Sequence, residues 1–465
     1  MRNPKIGLLP LYVELYDLTT PEVRPDIDAA HAYASECLRR RNMEVVDAPV
    51  CRLAREFESA IAQFEAADVD AIVTLHLAYS PSLESEKALA KVELPLIILD
   101  TTPSYTYDQN TDPAQLMLNH GIHGVQDMCN LLIRNGQVFR VCAGHLEHSD
   151  VLERVFAAAK AAMVARELKR ARVGLVGEPF AGMGDFQLPY EELERDLGIC
   201  MIPYDFKKGA ERIAAVTQEE IDEEYAADLK RFEIDPNLTR EVYDRTVKTS
   251  LAIRKWAKEE KLSAYTINFL ETAGPNPGLP VMPFTECCTA MVNGLGYAGE
   301  GDVLTAGLVG ALLTAFPETT FTEMFCPDWE HGTVFLSHMG EFNYAIAEGK
   351  PLLQEKPFPY TDAENPTAAY QTMRGGRAVL LNLAPFGEGR YTLTLAPGEM
   401  LKIQGENHMA DAVNGWFKPD VPLERFLEQY SQNGATHHSA LIYGDVLDQL
   451  LFLGNILNCR QVVIR

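Results

Sequence analysis

Two carboxylates and a pair of adjacent histidines occupy settings in this chain that call for a chemical explanation. Glu323 sits inside the apolar run Thr-Thr-Phe-Thr-Glu-Met-Phe, and Glu341 directly follows the strand-like Val-Phe-Leu-Ser-His-Met-Gly. An acid among such neighbours is costly to bury unless it is paired, protonated or bound to a metal. His437 and His438 stand shortly after Gly434, at the entry to another apolar run. Neighbours on a strand point to opposite faces, so at most one of the two is expected to face a given pocket. Glu323, Glu341 and His438 together make a hard oxygen and nitrogen donor set, suited to Mn²⁺ or Mg²⁺ rather than to the zinc of thiolate-rich sites. A divalent ion that holds adjacent hydroxyl and carbonyl oxygens acidifies the hydroxyl-bearing carbon and stabilises an enediolate. Two nearby carboxylates can then take and return the proton. That chemistry interconverts an aldose and a ketose between C1 and C2; reprotonation at the same carbon from the other face would make an epimerase. Each residue also has a purely structural reading: Glu323 paired with a buried base, Glu341 ending a strand, His438 a hydrogen-bonded core imidazole.

The elements that must position these residues follow from hydrophobic periodicity. Short apolar runs alternate with helical patterns through the first third: strands at Lys5–Leu11, Met43–Ala48, Val69–Leu75 and Leu94–Leu99, with a helix over Ile27–Arg41. This βαβα rhythm predicts a parallel, doubly wound sheet. His120 and His123 open a helix that runs to about Arg134, where two histidines three apart could meet a metal or a polyol. A second α/β unit opens with strands at Arg172–Val176, Gly198–Pro203 and Leu262–Ile267, followed by an amphipathic helix from about Thr285 to Asn293. The acidic stretch Gln218–Lys258 between them reads mostly as a solvated helical face. Beyond Glu341 the pattern becomes antiparallel β. Arg377–Leu383 and Arg390–Leu395 alternate as strands, and Pro397-Gly398 signals a turn. The expected fold is α/β: two doubly wound parallel-sheet domains (1–170 and 171–326) followed by a C-terminal antiparallel, β-barrel-like domain (327–465).

Composition excludes several classes. The formal charge of −25 argues against nucleic acid or an anionic membrane as partner, since both require a basic face. The nine cysteines include no C-x-x-C pair and are odd in number, which fits a reducing compartment. Neither a signal peptide nor a membrane-length apolar run is visible, so the expected location is cytoplasmic. No G-x-G-x-x-G follows the first strand and no P-loop occurs, so a dinucleotide or nucleotide site lacks support.

At these same residues the chain resembles the L-arabinose isomerase / L-fucose isomerase family. The resemblance is carried by Gly-Leu-Gly-Tyr-Ala-Gly-Glu-Gly-Asp (294–302), Phe-Thr-Glu (321–323), Ser-His-Met-Gly-Glu (337–341) and Gly-Ala-Thr-His-His (434–438). Weaker matches lie at His120-Gly-Ile-His-Gly, near His145, at Gly182-Met-Gly-Asp185 and at Phe269-Leu-Glu-Thr. The resemblance implies an aldose–ketose isomerase that uses Mn²⁺ or another divalent cation such as Mg²⁺. It implies that Glu323 and Glu341 are ligands and acid/base groups, with His438 a third ligand. It further implies that His120, Met183, Phe269 and His437 line the sugar site, and that the assembly is a trimer or hexamer with sites at subunit contacts. One departure stands out: arabinose isomerases carry another histidine ligand soon after the second glutamate, and 342–360 contains none. The expectation is therefore a sugar isomerase that is not a plain L-arabinose isomerase, acting on a class of sugars that extends to deoxy or modified ones. A non-catalytic sugar-binding protein is the alternative from another class, and metal content would discriminate.

Overall fold

The computed structural model describes residues 2–465, which divide into two compact units, 2–166 and 167–465. In the first unit β1 (Lys5–Leu11), β2 (Glu44–Asp47), β3 (Ala71–His76), β4 (Leu96–Asp100) and β5 (Phe139–Ala143) form one parallel sheet in the order β2-β1-β3-β4-β5. Leu8, Leu9, Ile72, Val73, Ile97 and Ile98 are fully buried. Such continuous burial is what a parallel sheet covered on both faces requires.

In the second unit β6 (Arg172–Val176), β7 (Cys200–Pro203), β9 (Ala264–Ile267) and β10 (Gly296–Gly299) form a four-stranded parallel sheet in the order β10-β9-β6-β7. The short β8 (Glu233–Ile234) leaves this sheet and joins β13 (Leu352–Glu355) and β14 (Thr367–Tyr370) in a separate three-stranded one. The uncharged helix Val303–Ala315 follows β10 and is almost wholly buried. It lies close on the sheet because both surfaces are bare: a Cβ on Gly296 would overlap the backbone nitrogen of Gly310.

The remaining strands close into a barrel. They are β11 (Thr319–Asp328), β12 (Thr333–Ser337), β15 (Gly376–Gly387), β16 (Arg390–Met400), β17 (Gly415–Pro419) and β18 (His438–Tyr443), antiparallel in the order β15-β18-β11-β12-β17-β16. The β15–β16 pairing completes the ring, and β19 (Arg460–Val463) adds to β16 in parallel from outside. The expected two parallel sheets and a C-terminal antiparallel barrel are all present.

Three local expectations need correction. Pro397-Gly398 is not a turn: β16 runs straight through it, with Pro397 opposite Val379 and Gly398 opposite both Ala378 and Pro419. The hairpin turn lies earlier, at Gly387–Gly389, where Glu388 adopts φ 54°. The acidic stretch, expected to be mostly solvated, is buried along one side toward its end, where the helix Arg240–Glu259 buries Tyr243, Val247, Ile253 and Trp256. The helix Phe284–Val292 is not two-sided either: every residue from Phe284 to Met291 is buried, including Glu286. In each case tertiary packing overrides the local pattern.

Candidate metal centre and acid–base site

The site grows from three elements of the second unit. The first is the turn Gly299–Asp302, between β10 and the helix Val303–Ala315. Glu300 and Gly301 both have positive φ, 63° and 88°. For glutamate that backbone conformation is unfavourable and must be held by its surroundings. Glu300 donates its N–H to Ile267 O (2.9 Å) and accepts from Phe180 N–H (2.8 Å), while Gly301 N–H donates to Thr266 Oγ1 (3.0 Å). Asp302 caps the helix by accepting from Thr305 N–H (2.9 Å).

The second element is β11, paired on one side with β12 and on the other with β18. That register sets Glu323 opposite both Ser337 and His438. The third is the start of β18. His438 donates Nδ1–H to Asp302 Oδ2 (2.9 Å), which leaves Nε2 facing Glu323 Oε1 at 3.0 Å and Glu300 Oε2 at 3.6 Å. Phe186 stacks on this ring and Phe321 meets it edge-on, at centroid separations of 5.1 and 4.9 Å. Capping acid, aromatic stack and buried strand together fix the tautomer and the orientation, as carboxylates behind metal-binding imidazoles do.

His437 joins the same cluster, against the strand-alternation expectation. The strand begins only at His438, and His437 occupies the preceding bend. There Asp185 Oδ2 accepts both its backbone N–H (3.0 Å) and its ring Nδ1–H (2.7 Å). Its Nε2 lies 3.6 Å from Glu323 Oε1 and 3.9 Å from Glu300 Oε2. One donor atom from each of Glu300, Glu323, His437 and His438 thus lies within 4.8 Å of the others.

Glu341 stands apart from this set. Its buried carboxylate accepts from Tyr297 O–H (2.9 Å), Gly340 N–H (2.8 Å) and His338 Nδ1–H (2.7 Å). The imidazole of His338 lies between it and Glu323, with Nε2 3.9 Å from Glu323 Oε1. Met183 sits half-buried in the loop that supplies Asp185. Phe269 is buried against Phe180 and Tyr360, with ring centroids 5.7 and 5.8 Å away. His120 belongs to the first unit, where Nδ1 donates to Leu116 O (2.9 Å) and Nε2 accepts from Tyr16 O–H (3.0 Å). Sequence reasoning missed Glu300, Asp302, Asp185 and His338. The Gly-Glu-Gly-Asp turn held the signal for the first two, because an acid between glycines at a helix start is an odd choice for a mere turn.

The electrostatics show what the cluster lacks. Burial alone would raise the Glu300 carboxyl, but the His437 and His438 imidazoles outweigh it and hold the group down to about 2. Glu323 is likewise raised by burial and pulled below its ordinary value on balance, chiefly by His438. Burial opposes a charge on His438, yet Asp302, Glu300 and Glu323 drive its affinity for a proton well above normal. Two anionic carboxylates therefore demand a positive charge between them, which either a proton or a cation can supply. Among the described residues, neither His438 Nε2 nor Glu300 Oε2 has a hydrogen-bond partner, although both are buried. Two unpartnered, inward-facing donors beside a carboxylate and a second imidazole fit a divalent cation.

The comparisons with known proteins define the class first. The model of the L-arabinose isomerase central domain matches residues 192–315, and that of the L-arabinose isomerase C-terminal domain matches 318–459. Similar full-length proteins include an L-arabinose isomerase of Nocardioides sp., 26% identical over 86% of this chain and 81% of that one. Another, from Thermotoga sp., is 25% identical over 90% and 86% of the respective chains. L-arabinose isomerase 2 of Bacillus licheniformis is 24% identical over 86% and 85%. A periplasmic solute-binding protein from Actinobacillus succinogenes with bound D-allose overlaps at a TM-score of only 0.18, with 12% identity over 67% of this chain and 92% of that one, and carries no argument. The class is that of aldose–ketose isomerases. Within it, this chain belongs to the L-arabinose isomerase family.

Proposed function

We propose that this isomerase works by enediolate proton transfer between C1 and C2 of its sugar, with a divalent cation, Mn²⁺ or Mg²⁺, held by Glu300, Glu323, His437 and His438. The observation that carries the reading is the pair of buried, unpartnered donors, His438 Nε2 and Glu300 Oε2, converging beside Glu323. Such an ion, when bound, polarises the carbonyl and fixes two adjacent sugar oxygens. Glu323 is the half-buried carboxylate that takes and returns the proton. Asp302 keeps His438 Nε2 free to bind. Glu341, expected from the resemblance to be both a ligand and an acid/base group, acts here through His338. Burial disfavours a charge on that imidazole, but the Glu341 carboxylate outweighs it and raises its proton affinity. In its protonated form that imidazole, whose Nε2 lies 3.9 Å from Glu323 Oε1, favours the ionised, proton-accepting form of Glu323.

The sugar belongs to a class that includes deoxy and modified aldoses. What supports a departure from a plain L-arabinose isomerase is the donor set: with no histidine in 342–360, Glu300 and His437 complete it. His120, Met183 and Phe269 are assigned to the sugar, and a trimer or hexamer with sites at subunit contacts to the assembly, both on the family resemblance. A cytoplasmic location is supported by nine free cysteines. Among the described residues no helix is long and apolar enough to cross a membrane. The test is a Mn²⁺-supplemented screen of aldoses and ketoses, scored for new sugar products, run beside Glu323→Gln. Loss of both product and bound metal in that variant is expected; full retention of both would overturn the assignment.

A further inference from the structure

The segment 342–360 lacks the histidine that the resemblance implies after Glu341, and brings Lys356 instead. Lys356 directly follows β13, and its backbone N–H donates to Pro366 O (2.8 Å), one residue before β14. Across from Pro366, it shares a face of this ladder with Ala368 and Tyr370, because side chains alternate along a strand. The two longer side chains lean toward each other along that face, and Lys356 Nζ donates to Tyr370 Oη (2.9 Å). The ammonium also lies 5.4 Å from the centre of the Tyr370 ring and 5.8 Å from that of Phe284, within cation–π range.

That same face is turned toward the acid–base site. Gly340, next to Glu341, packs on it: a Cβ there would lie 3.1 Å from the Phe284 ring and 3.3 Å from Ala368 Cβ. Glu341 accepts from His338, whose Nε2 approaches Glu323. Phe284 also meets Phe358 (ring centroids 5.7 Å apart), and Phe358 meets Phe269 (6.2 Å), the residue assigned to the sugar. Lys356 thus stands where two chains of contact converge. One runs through Glu341 and His338 to Glu323, the other through Phe284 and Phe358 to Phe269.

The charge at this point is unanswered. Lys356 is half-buried, and burial lowers its affinity for a proton, with Glu341 the charge that opposes this. Glu341 already accepts from Tyr297, Gly340 and His338. Among the described residues no carboxylate stands at ion-pair distance from Lys356, and its one hydrogen bond goes to a neutral phenol. An ammonium carries three N–H donors, so two are left for a ligand. A desolvated charge is costly until a counter-charge meets it, and charge-assisted N–H···O bonds are the strongest that this group can make. We propose that Lys356 is a specificity-determining residue that pairs with an anionic group, a carboxylate or a phosphate, at the end of the sugar remote from C1 and C2. Given the isomerase reading on which this rests, the substrate class is the acidic aldoses and ketoses. No bond forms or breaks at Lys356; its hydrogen bonds orient the sugar.

The experiment compares matched sugars on the full, Mn²⁺-supplemented chain. Galacturonate and glucuronate are set against galactose and glucose, and ribose 5-phosphate against ribose, each scored for its isomerised product. At least one acidic sugar is expected to show a kcat/KM roughly tenfold or more above that of its neutral counterpart. The uronate and phosphate arms separate the two anions. Lys356→Met is expected to bring that ratio close to one, through KM rather than kcat, whereas Lys356→Arg keeps the charge and is expected to keep a preference. Circular dichroism checks the fold of both, and Lys356→Gln serves if the methionine variant does not fold. Neutral sugars turned over as well as their acidic partners would overturn the proposal, as would a preference that survives in Lys356→Met. Failure of the isomerase reading looks different: no sugar of either kind gives product. The same pairs are then titrated calorimetrically into the wild-type chain. Tighter binding of an acidic sugar, lost in Lys356→Met, is still expected there, and equal or absent binding would overturn the proposal.

Discussion

His438 is useful because its other nitrogen is occupied. The Nδ1–H bond to Asp302 decides which lone pair faces Glu323 and Glu300, so Asp302 is a positioning residue. Asp302→Asn keeps the size and can still cap the helix, but its amide can present N–H where the carboxylate only accepted. Metal affinity is expected to fall about 10- to 100-fold, as for other carboxylates behind histidine ligands, with little change in the circular dichroism of the fold. A competition titration with a chromogenic chelator measures this, and an unchanged affinity would contradict the role. Glu323→Gln removes the proposed base as well as a ligand. Its kcat is expected to drop roughly 10²- to 10⁴-fold, with no recovery on adding Mn²⁺. Glu300→Gln, by contrast, is expected to raise the Mn²⁺ requirement while kcat at saturating metal changes far less. If the two variants behaved alike, the separation of ligand from base would be wrong.

The elements explain which of these residues could be read from the sequence. Glu323 and His438 were legible because a polar residue in an apolar strand is conspicuous whatever its partners. Glu300 and Asp302 were not, because their role depends on a left-handed turn and on β18 crossing beside it from far along the chain. His437 was misjudged by applying strand alternation one residue before the strand starts. The parallel sheets and the barrel were legible as period-two and continuous apolar runs, whereas Pro397-Gly398 misled because an isolated turn signal yields to pairing on both sides. The buried helix Phe284–Val292 carries the most testable element-scale consequence. Its Glu286 meets Arg254, which also binds Glu224, while Asp228 and Arg231 complete a cluster of three largely buried acids and two partly exposed bases. Burial pushes Glu286 up to about 7 and Asp228 up to about 6, against the opposing pull of the arginines and, for Asp228, Tyr243. Folded values above the unfolded ones mean stability that is fully present at low pH and lost as pH rises through the folded values. For Glu286 that window runs from about 4.5 to about 7, on the order of 1–3 kcal/mol. Melting curves should therefore show that Glu286→Gln changes its Tm less than wild type does between pH 5.5 and pH 8. An identical pH dependence in both proteins would remove Glu286 as the titrating group.

At the scale of the whole molecule, all four proposed donors lie in the 167–465 unit and come from three separated segments of it: the turn at 299–302, β11, and the bend into β18. A cation bound there ties one α/β sheet to the barrel through the backbone segments that carry its ligands. Binding to the folded state alone stabilises it by RT ln(1 + [L]/Kd), about 2.7 kcal/mol at a hundredfold excess over Kd. The formal charge of −25 complicates a simple melt, because any cation relieves self-repulsion across so acidic a surface. Screening is diffuse and insensitive to one side chain, whereas chelation is local and abolished by losing a ligand. Mn²⁺ is therefore expected to raise Tm well above the effect of NaCl at equal ionic strength, and Glu323→Gln to retain only the salt effect. Hydrogen exchange gives the same argument spatial form. Mn²⁺ should slow amide exchange in peptides covering 299–302, 319–325 and 433–439, and leave residues 2–166 at their metal-free rates. Uniform slowing over both units would identify charge screening as the cause and reject a discrete metal centre.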